Sequence, residues 1–134
     1  GFAQKIAGFA AGMVQGLRSL RTVNNKPLFW FYSIGIWTCY VATIAVGFTI
    51  VSGLESIGAE QAFFVSVAAG LGFVIPVPGG IGAYHYLVSK ALVVLGLTPF
   101  IGTSFATLIH SSQSLMFVFT GALGFVFLYF AGRK

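Results

Sequence analysis

Few residues in this chain can do chemistry: two histidines, His85 and His110, two carboxylates, Glu55 and Glu60, and one lysine, Lys90, set inside an apolar stretch. Neutral imidazoles suit hydroxyl-rich or phosphate groups, and their titration near neutral pH offers a coupling to protons. Just before His85 runs Val77-Pro78-Gly79-Gly80-Ile81-Gly82-Ala83-Tyr84. Pro76 and Pro78 fix φ and stop an incoming helix, whereas Gly79, Gly80 and Gly82 permit positive φ and close backbone approach. A helix opening directly behind this turn points its free N–H groups and positive dipole end into it, which suits a phosphate or carboxylate. The candidate ligand-binding residues are therefore Pro78, Gly79, Gly80, Gly82, Tyr84, His85, Lys90, His110 and Gln113. Gln113 shares a helical face with His110, three residues away. Each side chain also has a plainer reading. A histidine can be a satisfied core residue, Lys90 can snorkel to an interface, and Tyr84 can be an interfacial aromatic. Gln113 and the serines around it can join helices by hydrogen bonds.

Other chemistries fit less well. A Walker A loop needs Gly-Lys-Ser/Thr, which is missing, and a dinucleotide fingerprint needs a βαβ unit. No His, Asp, Glu or Cys cluster has metal-ligand spacing, so neither metal nor cofactor is expected. Gly102-Thr103-Ser104-Phe105 matches the Gly-x-Ser-x pattern of intramembrane serine proteases. On one helix, however, His110 lies about 240° around from Ser104 at 100° per residue. His85 is then the sole base within conceivable reach, and no catalytic residue is assigned. Glu55 and Glu60 read as a solvated loop.

These residues must be positioned by membrane helices. Of 134 residues 57% are hydrophobic and 7% charged, against about a quarter charged in soluble domains. The net charge of +5 comes from Lys5, Arg18, Arg21, Lys26, Lys90, Arg133 and Lys134. All but Lys90 cluster toward the chain ends, which reads as membrane topology and anionic headgroups and leaves no basic face for nucleic acid. The single cysteine, Cys39, excludes an internal disulfide.

Residues 1–23 read as an interfacial amphipathic helix, with Phe2, Ile6, Phe9, Met13, Leu17 and Leu20 on one stripe. Gly8, Gly12 and Gly16 form a second stripe that lets another helix approach closely, from further helices of the protein or from a second copy. The alternative for residues 1–14 is the tail of a preceding span. After the Asn24-Asn25-Lys26-Pro27 turn, residues 28–54 are charge-free and long enough to cross the ~30 Å hydrocarbon layer. Residues 99–131 form a second span, ending in Arg133-Lys134. Between the two lie shorter apolar pieces, 62–76 and 83–97, each about 15 residues or roughly 22 Å as helix. That length predicts a re-entrant hairpin over 62–97; two tilted full spans are the alternative and keep the same charge parity. Short Gly/Pro-broken segments of this kind point to transporter binding sites. The expected fold is an all-α polytopic membrane protein: two full spans, a re-entrant hairpin and an interfacial helix, in one transmembrane domain over 1–134.

The stretch "IPVPGGIGAYHYLVSKALVVLGL" resembles the Pro-x-Pro-Gly-Gly-Leu/Ile-Gly signature of the lysylphosphatidylglycerol synthase transmembrane family, the flippase-like membrane proteins. "AFFVSVAAGLGFVIP" before it and "ATLIHSSQSLMF" after it follow that family's order. The likeness runs from about Leu28 onward, as in the C-terminal part of a longer member. It implies a helical domain in the bacterial cytoplasmic membrane that moves or accommodates a phospholipid or lipid-linked headgroup, with both chain ends cytoplasmic. Nothing resembles the aminoacyl-transferase domain that some members carry. Many members have a glutamate where this chain has His85, and often an arginine near the place of His110. That departure bears on any preference for a lysyl-bearing headgroup. A non-transporting helical scaffold and, more remotely, an intramembrane serine hydrolase are the alternative functions.

Overall fold

A computed structural model describes residues 1–132, apart from the side chains of Phe2, Ala3 and Lys5. Arg133-Lys134, the basic pair at the end of the last apolar segment, and the expected roles of the Phe2 and Lys5 side chains lie outside the described residues. Every regular element among the described residues is helical: α1 (Phe2–Ser19), a single 3-10 turn (Leu20–Thr22), α2 (Lys26–Ile50), α3 (Ala59–Val74), a second 3-10 turn (Pro78–Gly80), α4 (Ala83–Val94) and α5 (Pro99–Ala131). The all-helical class follows the hydropathy pattern. Two helices, α2 with 25 residues and α5 with 33, are long and apolar enough to cross a membrane. The chain divides into two compact units, residues 1–38 and 39–134.

In the first unit α1 exposes both of its stripes. Ile6, Phe9, Met13 and Leu17 are exposed, and a Cβ added at Gly8, Gly12 or Gly16 would meet nothing within 4 Å. The helix tightens into the 3-10 turn, and Val23 is extended, which ends it. Asn25 then opens α2: its side-chain oxygen accepts from the Leu28 N–H at 3.1 Å and its carbonyl from the Phe29 N–H at 3.0 Å. Pro27 sits in the first turn, where its missing N–H costs no bond.

In the second unit the helix boundaries have local causes. The α2 helix stops at Ile50, short of the end of the charge-free stretch, because Gly53 turns the chain with φ +90°. Glu55 fixes this turn, accepting the Gly53 N–H on both carboxylate oxygens at 3.0 and 2.9 Å. Gln61 reaches back to the Gly58 N–H (3.0 Å) at the start of α3. The α3 helix ends where Ile75 is extended (φ −66°, ψ 127°), as Pro76 requires of the residue before it. The α4 helix closes on Gly96, with Leu97 N–H to Leu92 C=O and Gly96 N–H to Val93 C=O at 3.1 and 3.0 Å. This is a Schellman end. Thr98 caps α5, accepting from the Ile101 N–H, with Pro99 as first helical residue.

The α4 helix packs between α3 and α5. The α3 and α4 helices hold 16 and 12 residues, about 24 and 18 Å at 1.5 Å per residue. They touch closely: a Cβ on Gly72 would lie 2.7 Å from the Tyr84 Cα, and one on Gly102 2.9 Å from the Ser89 carbonyl oxygen of α4. Around them Val65, Val88, Leu92, Phe105 and Ala106 are fully buried, with Phe48 from the end of α2 packed on Phe105 at 5.2 Å between ring centroids. The first turn of α4 is thus held between α3 and α5 by a buried apolar core. From Ser111 onward, Gln113 apart, α5 is exposed along its apolar length.

Candidate functional site

The site forms where the turn meets α4 and α5. Ile75 and Val77, each ahead of a proline, are extended. Gly79 (φ +62°), Gly80 (φ +69°) and Gly82 (φ +87°) all occupy the positive-φ region, so the reversal depends on residues without a Cβ. From this turn the Gly79 carbonyl reaches α5, where it lies 2.9 Å from His110 Nε2. A carbonyl only accepts, so Nε2 donates, and a neutral His110 keeps Nδ1 as an acceptor. On the other side, the Gly82 N–H donates to His85 Nδ1 in a long bond of 3.4 Å. In its neutral form His85 therefore carries its proton on Nε2.

The two histidines, apart in sequence, stand edge to face with ring centroids 4.8 Å apart. Tyr84 and Phe73 complete an aromatic box around His110, at 4.9 and 5.9 Å. His110 is buried, at 8% exposure, and Tyr84 still more so, at 1%. The Tyr84 hydroxyl makes no hydrogen bond among the described residues. His85 is half-buried and faces a second feature. This is a cleft of about 290 Å³ between α4 and the start of α5, lined by His85, Tyr86, Ser89, Lys90, Pro99 and Thr103 among others. Lys90 Nζ stands 5.6 Å over the Tyr86 ring. Ser89 Oγ lies 3.1 Å from Thr103 Oγ1 and 3.5 Å from the Pro99 carbonyl.

The nine residues picked from sequence thus fall into three groups. Gly79, Tyr84, His85 and His110 come together, with Pro78, Gly80 and Gly82 shaping the turn that joins them. Lys90 lies in the cleft that His85 also lines. Gln113, half-buried one turn beyond His110, forms no hydrogen bond among the described residues. The turn amides divide between engaged and free. The Gly80 N–H bonds the Val77 carbonyl, the Ile81 N–H that of Pro78, and the Gly82 N–H bonds His85. These three amides are engaged within the turn, whereas the first turn of α4 retains N–H groups without intrahelical acceptors. Ser104 is exposed and hydrogen-bonds neither histidine, so no nucleophile–base pair forms there. Among the described residues no group of three or more potential ligands could hold a metal.

Ser89 and Thr103 were missed from sequence. Ser89 had a signal, standing four residues after His85 on one helical face. Thr103 had none, because its place depends on how closely Gly102 lets α5 approach α4.

Compared with known protein families, with curated proteins and with solved structures, this chain matches none.

Proposed function

We propose that this chain is part of a flippase-like membrane protein of the lysylphosphatidylglycerol synthase transmembrane type. In this reading it handles or translocates a phospholipid or lipid-linked headgroup beside the Gly-Pro turn. The observation that carries it is the bond from His110 to the Gly79 carbonyl, which ties a helix-break to a long apolar helix, with His85 at 4.8 Å from His110. A broken backbone held by polar side chains at membrane depth is tolerated where it lines a cavity, and a cleft opens beside it. In this reading α2 and α5 span the bacterial cytoplasmic membrane with both chain ends on the cytoplasmic side. The α3–α4 hairpin dips in from the outer face, and α1 lies at the inner interface. The lengths of α3 and α4, each under the ~30 Å of the hydrocarbon core, support the re-entrant path.

The test is lipid movement in vesicles containing the full-length protein, for wild type, His85→Ala and Gly80→Val. The reading expects movement by the wild type and loss in both variants; wild-type rates in both would refute it.

A second reading is a non-transporting scaffold that docks a partner or another copy through Gly8, Gly12 and Gly16. It is favoured by one observation, the open space over all three glycines. Inter-helix crosslinking lost on Gly12→Leu, with lipid movement absent in wild type, is its signature.

A further inference from the structure

We infer that the cleft between α4 and the start of α5 takes an anionic phosphate group, that of a lipid headgroup, with Lys90, Ser89 and His85 as its donors. The lipid source rests on the lipid-handling reading above; the phosphate chemistry does not. The cleft's volume of about 290 Å³ sits at the small end of the ~300–1,000 Å³ of ligand sites, the size for a headgroup and not for a whole lipid.

Three donors converge there by helical spacing. His85 and Ser89 occupy one stripe of α4, and Tyr86 and Lys90 the neighbouring one, each pair four residues apart. The Tyr86 ring face attracts the Lys90 ammonium, 5.6 Å from its centroid, and so holds the charge at the cleft. His85 has its Nδ1 engaged by the Gly82 N–H, which leaves Nε2–H as its remaining donor.

Ser89 is the adjustable member. Thr103 gives its own proton to the Pro99 carbonyl at 2.9 Å. Ser89 must therefore donate in the Ser89–Thr103 contact, at 3.1 Å, while lying 3.5 Å from the same carbonyl. A proton shared between two weak neutral acceptors turns readily to a charged phosphate oxygen, which forms a bond roughly twice as strong. Thr103 stays satisfied when it does.

Charge decides the class of headgroup. Lys90 is the one charged residue lining the cleft, and neither Glu55 nor Glu60 is there. An ammonium-bearing headgroup finds no carboxylate and meets Lys90 as a like charge, whereas a net-anionic phosphate finds three donors. The amides of Gly80, Ile81 and Gly82 are engaged within the turn, whereas the cleft offers Lys90, Ser89 and His85 as donors.

The experiment uses the purified full-length protein in detergent micelles, titrated with dioctanoyl phosphatidate, dioctanoyl phosphatidylcholine and inorganic phosphate by calorimetry. Phosphatidate is expected to bind at least about tenfold more tightly than phosphatidylcholine, and Lys90→Gln to weaken phosphatidate about tenfold, the loss of one charge-assisted contact. Lys90→Arg should keep binding within about threefold, and Ser89→Ala should weaken it less than Lys90→Gln. Because Lys90 is exposed, these variants test binding and not folding; unchanged circular dichroism verifies that. Inorganic phosphate that displaces phosphatidate at equal concentration assigns the site to free phosphate, and phosphatidate binding indifferent to it assigns the site to a lipid; both support the phosphate assignment. Equal binding of the two lipids, or phosphatidate binding unchanged in Lys90→Gln, overturns it. Lys90-dependent binding without lipid movement in vesicles leaves this assignment standing and removes the transport reading.

Discussion

His110 on α5 donates from Nε2 to the carbonyl of Gly79 at 2.9 Å, so the tip of the Gly-Pro turn is tied to a helix that follows it by a full α4. The Gly79 carbonyl has no donor within the turn, whereas the N–H groups of Gly80, Ile81 and Gly82 all find acceptors locally. His110→Ala removes the donor and leaves the carbonyl to find another partner. The expected cost is about 0.5–1.5 kcal/mol of stability, with faster amide exchange over residues 79–82 and little change at α3. Thermal unfolding and hydrogen exchange in detergent measure both; protection at 79–82 equal to wild type would show that the bond does not hold the turn.

The glycines of the turn should not be equivalent. Gly80 and Gly82 both have positive φ, at +69° and +87°. An alanine at either position meets a backbone cost, and it is steep at Gly82, whose ψ of −56° puts it in the strained, positive-φ γ-turn region. At Gly80, however, the added Cβ would also lie 2.8 Å from Phe73 Cδ1, whereas at Gly82 it would meet nothing within 4 Å. Gly80→Ala is therefore expected to disturb the aromatic box, because Phe73 stacks on His110, whereas Gly82→Ala should strain the backbone at the start of α4 and leave the box intact. A near-ultraviolet circular dichroism signal altered equally in the two variants would count against this geometry.

This contrast shows where the sequence was readable and where it was not. Pro76 and Pro78 predict the end of α3 and the extended residues ahead of them, because a proline acts on its neighbour through local sterics. The apolar run from Pro99 predicts α5 through composition alone. The meeting of His85 with His110 is of another kind. It depends on two crossings, at Gly72 and Gly102, whose closeness a single sequence does not encode. The same is true of Thr103, which no spacing rule links to Ser89. The local pairing of the Gly80, Ile81 and Gly82 amides was not legible for a related reason: their acceptors, Val77, Pro78 and His85, are close in sequence, but pairing them requires the φ values that the glycines adopt.

The crossing glycines give a third expectation. A Cβ at Gly72 would meet the Tyr84 backbone at 2.7 Å, and backbone cannot swing aside as a side chain can. Gly72→Ala must push α3 from α4, at about 1–3 kcal/mol for an overpacked contact. Gly12→Ala, on the open stripe of α1, meets nothing within 4 Å and gains up to about 1 kcal/mol of helix propensity. The two substitutions should thus shift thermal stability in opposite directions, and a shift of the same sign in both would be inconsistent with these packings.

The last expectation concerns acid. Hydrogen bonds from the Gly53 N–H hold the Glu55 carboxyl below the usual carboxylate range. A carboxylate whose folded pKa lies below its unfolded value, ~4.3 for Glu, stabilises the fold above that unfolded value. The contribution is lost as pH falls through the folded pKa, because protonation removes the charge that the Gly53 N–H favours. Gly53 itself turns the chain at the end of α2 with φ +90°, so the effect should be local to the turn between α2 and α3. Protection of the Gly53 amide, followed by hydrogen exchange, should fall as pH drops below about 4.3 relative to the intrinsic rate. In Glu55→Gln the amide still finds a neutral acceptor, and its protection should be lower at neutral pH and no longer change across this range. A wild-type titration as flat as that of the glutamine variant would show that the charge of Glu55 does not secure the turn.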